Sequence, residues 1–204
     1  MKKILLLIVF VIVASLRSDL EAQKFSQGYS DSTKQFLYGF IVAHPQVKTS
    51  VVVDNDTSWI NSAIGEFKFK FFECHVAKVR KTEYDPVRKR ELTIDSITIT
   101  GKEAKLILAA LKASKGFKWT KDFFPYEKLS TTRQSAALYE NDKQKFRKNG
   151  VWAFSLPAVI RNGRFLVCYD MYYCGSGCGQ DELALYENVH GYWKKFGDLF
   201  KRKY

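Results

Sequence analysis

Asn162-Gly163 sits between two runs rich in β-branched and aromatic residues, and it ties the end of the chain closely to one local structure. A type I′ turn needs positive φ at both central positions, which asparagine and glycine tolerate. Val151 to Ile160 therefore reads as a strand, with Pro157 marking an edge or bulge. Arg164 to Cys174 reads as the strand that returns. Gly175-Ser176-Gly177 turns the chain again, and Gln180 to Glu187 forms a third strand. Asn188 to Gly191 turns once more, and Tyr192 onward supplies a fourth. Four consecutive antiparallel strands make a meander.

Upstream the hydrophobic pattern changes period. Phe36, Leu37, Phe40 and Ile41 form one helical stripe, capped at Asp31 or Ser32 and stopped at His44-Pro45. Val47 to Val53 reads as a short strand and Asp54 to Ser58 as a turn. Phe67, Phe69 and Phe71 alternate with Lys68 and Lys70, so Glu66 to Arg80 starts with a strand pattern, while Glu73 to Val79 fits either period. Arg80 to Arg90, which holds Asp85-Pro86, is a loop or hairpin tip. Glu91 to Thr100 is a strand with a phase break near Asp95-Ser96. Gly101 to Ser114 is a helix, Phe117 to Leu129 is irregular, and Arg133 to Arg147 is a helix ending at Asn149-Gly150. Helices packed on an antiparallel sheet that ends in a four-stranded meander give an α+β fold.

The first 22 residues read as a secretory leader. Lys2 and Lys3 precede an apolar run from Ile4 to Leu16, too short for a bilayer span of about 20 residues. Ala22 offers a small residue for cleavage before Gln23, with a rival cut after Ala14. Residues 23–204 then form one domain without a transmembrane segment, and 46% apolar residues suffice for its core. The chain carries a net charge of +12. The leader holds three cations and two anions, so residues 23–204 keep +11. In an exported chain that balance points away from nucleic acid. It points toward an anionic envelope surface or an acidic polysaccharide, with plain solubility as the alternative. Lys78, Arg80, Lys81, Arg88, Lys89 and Arg90 form one basic cluster, and Lys194, Lys195, Lys201, Arg202 and Lys203 another, either a solvated face or a contact for an anionic partner. Tyr172, Tyr173, Tyr186, Tyr192 and Trp193 crowd the meander, either covering a half-buried sheet or offering a surface that stacks on sugar rings.

Four cysteines, an even number, permit disulfides in an exported chain: Cys74, Cys168, Cys174 and Cys178. Cys174 and Cys178 flank a three-residue loop on facing strands, where Cα atoms fall within bonding range. A structural disulfide is the expectation. A metal site would have to recruit His190 or Cys168 and fits no common zinc spacing. A redox pair usually sits as C-x-x-C at a helix start. Cys74 and Cys168 could form a second bond or remain thiols. Cys74-His75 does not make a nucleophile–base pair, because neighbours in a strand point to opposite faces. Asp54 to Ser58 begins like a calcium loop but has Trp59 and Gly65 where glycine and glutamate are needed. No pattern asks for a cofactor or a metal.

Trp152-Ala153-Phe154-Ser155-Leu156-Pro157, then Tyr172 to Gly179, Leu183 to Glu187 and Gly191 to Lys194 carry a resemblance. Together they resemble the C-terminal pattern of a group of exported bacterial proteins of Bacteroidetes type that has no assigned activity. The likeness covers about the last third of the chain, and the alanine-glutamine at the leader's end is similar as well. It implies export and the cysteine hairpin, and it implies no activity. Cys74 and Cys168 lie outside the pattern. The functional expectation is a non-catalytic exported binding domain with a basic, aromatic surface. The alternatives are an envelope hydrolase whose site the sequence does not locate and a disulfide redox component.

Overall fold

The computed structural model describes residues 31–44, 51–53, 57–75, 78–124, 128–131, 134, 137, 140 and 143–204. The expected leader lies outside the described residues. So do positions 47–50 of the first expected strand and much of 132–142.

A helix spans residues 31–43 (α1). In chain order there follow Val51–Val53 (β1), Thr57–Lys68 (α2), Lys78–Asp85 (β2), Arg90–Thr98 (β3) and Gly101–Ala113 (α3). Then come Lys128–Ser130 (β4), Lys143–Asn149 (α4), Val151–Phe154 (β5), Ala158–Ile160 (β6), Phe165–Gly175 (β7), Cys178–Val189 (β8) and Tyr192–Lys203 (β9). One sheet runs β4-β1-β5-β7-β8-β9, with β6 also paired to β7; β2 and β3 form a separate hairpin. From β6 through β9 the chain is the expected antiparallel meander, so the α+β class holds. The other edge differs from an all-antiparallel sheet, because β1 runs parallel to both β4 and β5.

Both faces of the sheet are covered. Phe36, Leu37, Phe40 and Ile41 of α1 pack with Trp119 and Phe124 against Trp152, Phe154, Leu166 and Tyr186. The opposite face packs Phe165, Val167, Leu183 and Leu185 against Ile60, Ala63, Ile64 and Phe67 of α2 and Ala104, Ile107 and Leu111 of α3. At the head of α3, Thr100 Oγ1 accepts from the Glu103 backbone while the Glu103 carboxylate accepts from the Thr100 backbone. That capping box satisfies two helix-end donors. Arg161 then binds Glu103 Oε1 at 2.8 Å and ties the helix to the β6–β7 turn. The turn itself closes from Arg164 N–H to the Arg161 carbonyl, with φ of 54° at Asn162 and 83° at Gly163, the signs type I′ requires.

The largest correction concerns Glu66 to Arg80, which is not one strand. Thr57–Lys68 is helical, a π-turn covers Phe69–Glu73, and the strand begins only at Lys78. Ile60, Ala63, Ile64 and Phe67 recur at helical spacing and are all buried, whereas Phe69 is 52% exposed. The alternation of Phe67, Phe69 and Phe71 was fortuitous; a four-residue stripe outweighs it. Ser58 consequently belongs to this helix and not to a turn. Arg80 to Asp85 is strand as well, and the tip is confined to Pro86–Lys89, where Asp85 Oδ1 accepts from the Val87 and Arg88 backbones. The phase break of the partner strand is a bulge that leaves Ile94 unpaired between Thr93 and Asp95. The irregular stretch ends in β4, and Ser155–Pro157 divides the first meander strand into β5 and β6.

Candidate functional site

Strand period places Leu166, Cys168, Asp170 and Tyr172 of β7 on the sheet face under α1. Their cross-strand partners on β8 are Tyr186, Ala184, Glu182 and Gln180. Asp170 and Glu182 thus oppose each other directly, at 2% and 5% exposure. Lys201 of β9 stands next in the row, opposite Glu182. Two bulges in β9, at Phe196 and Leu199, turn Asp198 toward the lysines, so that Lys195 Nζ reaches Asp198 Oδ1 at 2.6 Å and Glu182 Oε1 at 2.7 Å. Lys201 Nζ lies 3.0 Å from Glu182 Oε2.

The two carboxyls titrate apart. Burial, followed by the charge of Glu182, raises Asp170 well above the ordinary aspartate value. Burial also opposes ionisation of Glu182, but hydrogen bonds and charge from Lys195 and then Lys201 outweigh it and hold that carboxyl low. The row therefore sets a carboxyl whose ionisation burial disfavours, Asp170, beside a carboxylate clamped by two ammonium groups. Asp170 Oδ2 is buried and has no hydrogen-bond partner among the described residues.

Above this row lies a cleft of about 180 Å³ between α1 and the β8–β9 ribbon. Its α1 wall is the stripe Phe36, Gly39, Phe40, Ala43 and His44; its sheet wall is Gln180, Glu182, Tyr186, Trp193, Lys195 and Lys201. The small residues at 39 and 43 leave room at the rim, and a Cβ built on Gly39 would touch nothing within 4 Å. His44 is held by Nδ1–H donation to the Phe40 carbonyl at 3.0 Å and by stacking on the Phe40 ring at 4.2 Å. Trp193 Nε1–H is buried and finds no acceptor among the described residues. An orphan donor of this kind costs about 1–3 kcal/mol, and with no exposed surface it is out of reach of a molecule in the cleft.

The chain matches no family model, no curated protein and no solved structure. Its own geometry is therefore the guide to what the cleft can hold.

The expected disulfide is present: Cys174 and Cys178 are bonded, with Cα atoms 5.2 Å apart. The tip is tighter than the expected three-residue loop. Gly175 pairs with Cys178 across a two-residue turn, and Cys174 is bulged out of register. Positive φ at Gly175 and Gly177, 115° and 70°, permits this path. Cys74 and Cys168 are not bonded to each other. Cys74 is an exposed thiol just past the π-turn. Cys168 is a buried thiol beside Ser155, pushed up by burial and then by Asp170. Cys74 follows a helical turn, so the strand argument about its neighbour His75 does not apply to the folded chain.

The aromatic residues do not share one surface. Tyr186 is buried and Trp193 half-buried, and both line the cleft. Tyr172 packs beside Trp152 on the same face, whereas Tyr173 turns to the other face and meets Phe146. Tyr192 is 75% exposed in the last strand. Arg88, Lys89 and Arg90 are exposed at the end of the β2–β3 hairpin, where only Val79 and Ile97 are buried. Sequence reasoning missed Asp170 and Glu182, and it named Lys195 and Lys201 only as members of a basic cluster. A signal existed: Asp170 is the one charged residue in the apolar run from Phe165 to Tyr173. Among the described residues no helix is long and apolar enough to cross a membrane.

Proposed function

We propose that this chain is an exported binding domain that holds a small polar ligand in the cleft between α1 and the β8–β9 ribbon. The observation that carries the reading is a cleft of about 180 Å³ whose aromatic walls, Phe36, Phe40, Tyr186 and Trp193, also present Gln180, Glu182 and Lys201. Convergent polar groups on aromatic walls are the usual composition of a ligand site. Export rests on the leader expected at residues 1–22.

Binding accounts for the site better than hydrolysis does. An acid–base pair must reach the substrate. Asp170 is not on the cleft wall, and both oxygens of Glu182 are paired with lysines. A redox role suits the disulfide poorly, because the pair closes a strand–turn–strand tip and does not sit as C-x-x-C at a helix start, where a thiolate is stabilised.

A second contact belongs to the same reading. Arg88, Lys89 and Arg90 project into solvent beside Val87, which is 89% exposed, and would dock the domain on an anionic envelope surface or acidic polysaccharide.

The test is a titration of the exported protein with sugars, amino acids and dicarboxylates, read from backbone amide shifts. Saturable shifts confined to α1 and β8–β9 are expected from at least one class. No saturable response from any class would overturn the assignment of the cleft.

A further inference from the structure

We infer that the ligand of this cleft is a single neutral hydroxylated ring, of the size and chemistry of one sugar residue. The inference rests on the cleft being a ligand site at all, and adds what kind of molecule fits it.

Charge decides the first point. Lys195 and Lys201 are balanced by Glu182 and Asp198, and burial disfavours ionisation of Asp170. An anion entering here would meet the Glu182 carboxylate, itself buried and already committed to both lysines. A cation would meet two ammonium groups within 3.0 Å of that carboxylate. Either charge would be desolvated without a free partner, which is costly in a confined site. A neutral polar molecule incurs neither penalty.

Size and wall chemistry decide the rest. About 180 Å³ lies below the range of about 300–1,000 Å³ usual for drug-sized ligands and suits one ring, not a chain of them. Phe36, Phe40, Tyr186 and Trp193 offer apolar faces for the C–H surface of such a ring. The Lys201 ammonium offers a donor to its oxygens, and the Gln180 amide oxygen accepts from its hydroxyls. A ring that alternates C–H faces with hydroxyl edges matches this arrangement.

Gly39 makes the proposal testable without touching the polar groups. It is exposed at the rim, in a helix, with nothing within 4 Å of an added Cβ. Gly39→Leu should fill the mouth of the cleft and, by removing a glycine from a helix, keep the melting temperature equal or raise it.

The experiment is an amide-shift titration of the exported protein with galactose and N-acetylglucosamine, alongside galacturonate, glucosamine and alanine. At least one neutral sugar should saturate at α1 and β8–β9, with the charged sugars and the amino acid weaker by about tenfold or more. Gly39→Leu should abolish that response, with Ala43→Leu as the second rim variant should the first fail to fold. Trp193→Ala should weaken it several-fold by removing part of the ring wall. Saturation by galacturonate, glucosamine or alanine, but by neither neutral sugar, would overturn the ligand class and leave the cleft assignment standing. A response identical in wild type and both rim variants, or no response from any probe, would defeat both. Filling by ordered water alone is that last outcome.

Discussion

Asp170 and Glu182 face each other across β7 and β8, and the fold raises the pKa of the first while lowering that of the second. Their opposed shifts give opposed pH dependences. Asp170 keeps its proton in the fold after the unfolded chain has released it, so its effect on stability worsens as pH rises above about 3.9. Glu182 is held ionised in the fold, so its stabilisation is present above about 4.3 and is lost as pH falls through its lowered value. Asp170→Asn removes the first effect and keeps the shape. The variant should be more stable than wild type near neutral pH, by up to ~1.4 kcal/mol for each unit by which the fold raises the carboxyl. The advantage should shrink toward about pH 4, where the wild-type group is protonated in both states. Urea denaturation across that range measures it. A constant difference between the two proteins would show that the Asp170 carboxyl is ionised in the fold.

The Cys174–Cys178 bond closes a very short loop, so its effect on the unfolded chain is small. Replacing both cysteines by alanine should lower stability by only ~1–2 kcal/mol. The meander should survive, because β7 and β8 carry their own buried residues on both faces. Non-reducing peptide mapping of exported protein should recover Cys174 linked to Cys178 and Cys168 as a thiol. Recovery of a Cys168–Cys174 link would contradict the register of the hairpin.

The meander was legible because its turns are chemically explicit: Asn162-Gly163 and the glycines at 175 and 177 can adopt φ values that few other residues reach. α1 was legible through one stripe of four residues. α2 was not, since three phenylalanines at spacing two imitated a strand and the competing stripe begins earlier, at Ile60. The parallel pairing of β1 with β4 and β5 leaves no local mark, because three-residue strands acquire partners only from tertiary packing. The cleft was hidden for a related reason. Its walls come from residues 36–44 and 180–201, and what joins them is the register of β9, which two bulges alter. The lone aspartate in β7 was the readable hint. Aromatic crowding pointed to the right strands but suggested a single surface, whereas alternation sends Tyr172 and Tyr173 to opposite faces.

The basic tip of the β2–β3 hairpin should bind anionic surfaces in a salt-dependent way. Exported protein should associate with vesicles containing anionic lipid, or with an acidic polysaccharide, at low ionic strength. Binding should fade near 0.15 M salt, where the screening length is about 8 Å. Changing Arg88, Lys89 and Arg90 together to alanine should weaken it several-fold, with stability altered by less than about 0.5 kcal/mol because these side chains are exposed. No association at low salt would leave solubility as the role of the charge.

Processing is a separate matter from folding. The short apolar run at Ile4 to Leu16 leads us to expect that mature protein begins at Gln23. Intact mass of exported material decides it, and a membrane-integral product that retains Met1 would count against export of a free domain.

The seat of the hairpin can be tested at Gly197. This residue lies between the two bulges of β9, where β2 crosses the strand. A Cβ added there would collide with the Arg80 carbonyl oxygen and stand 3.1 Å from Val79 Cγ1. The first obstacle is backbone, so no rotamer change relieves it. Val79 is one of the two buried residues of the hairpin strands, and Lys81 lies 5.7 Å from the Phe196 ring centroid in the same contact. Gly197→Ala should therefore cost about 1–3 kcal/mol, the range for forced overpacking. The loss should be local in character: amide exchange should speed up in Lys78–Asp85 and Arg90–Thr98 before it does in β7 and β8. A substitution at Gly163 provides the contrast, since its φ of 83° strains an alanine although nothing lies within 4 Å of the added carbon. Its penalty should fall on the β6–β7 turn and leave exchange in the hairpin unchanged. Equal stability of Gly197→Ala and wild type would mean that β2 does not press on β9 as closely as this crossing requires.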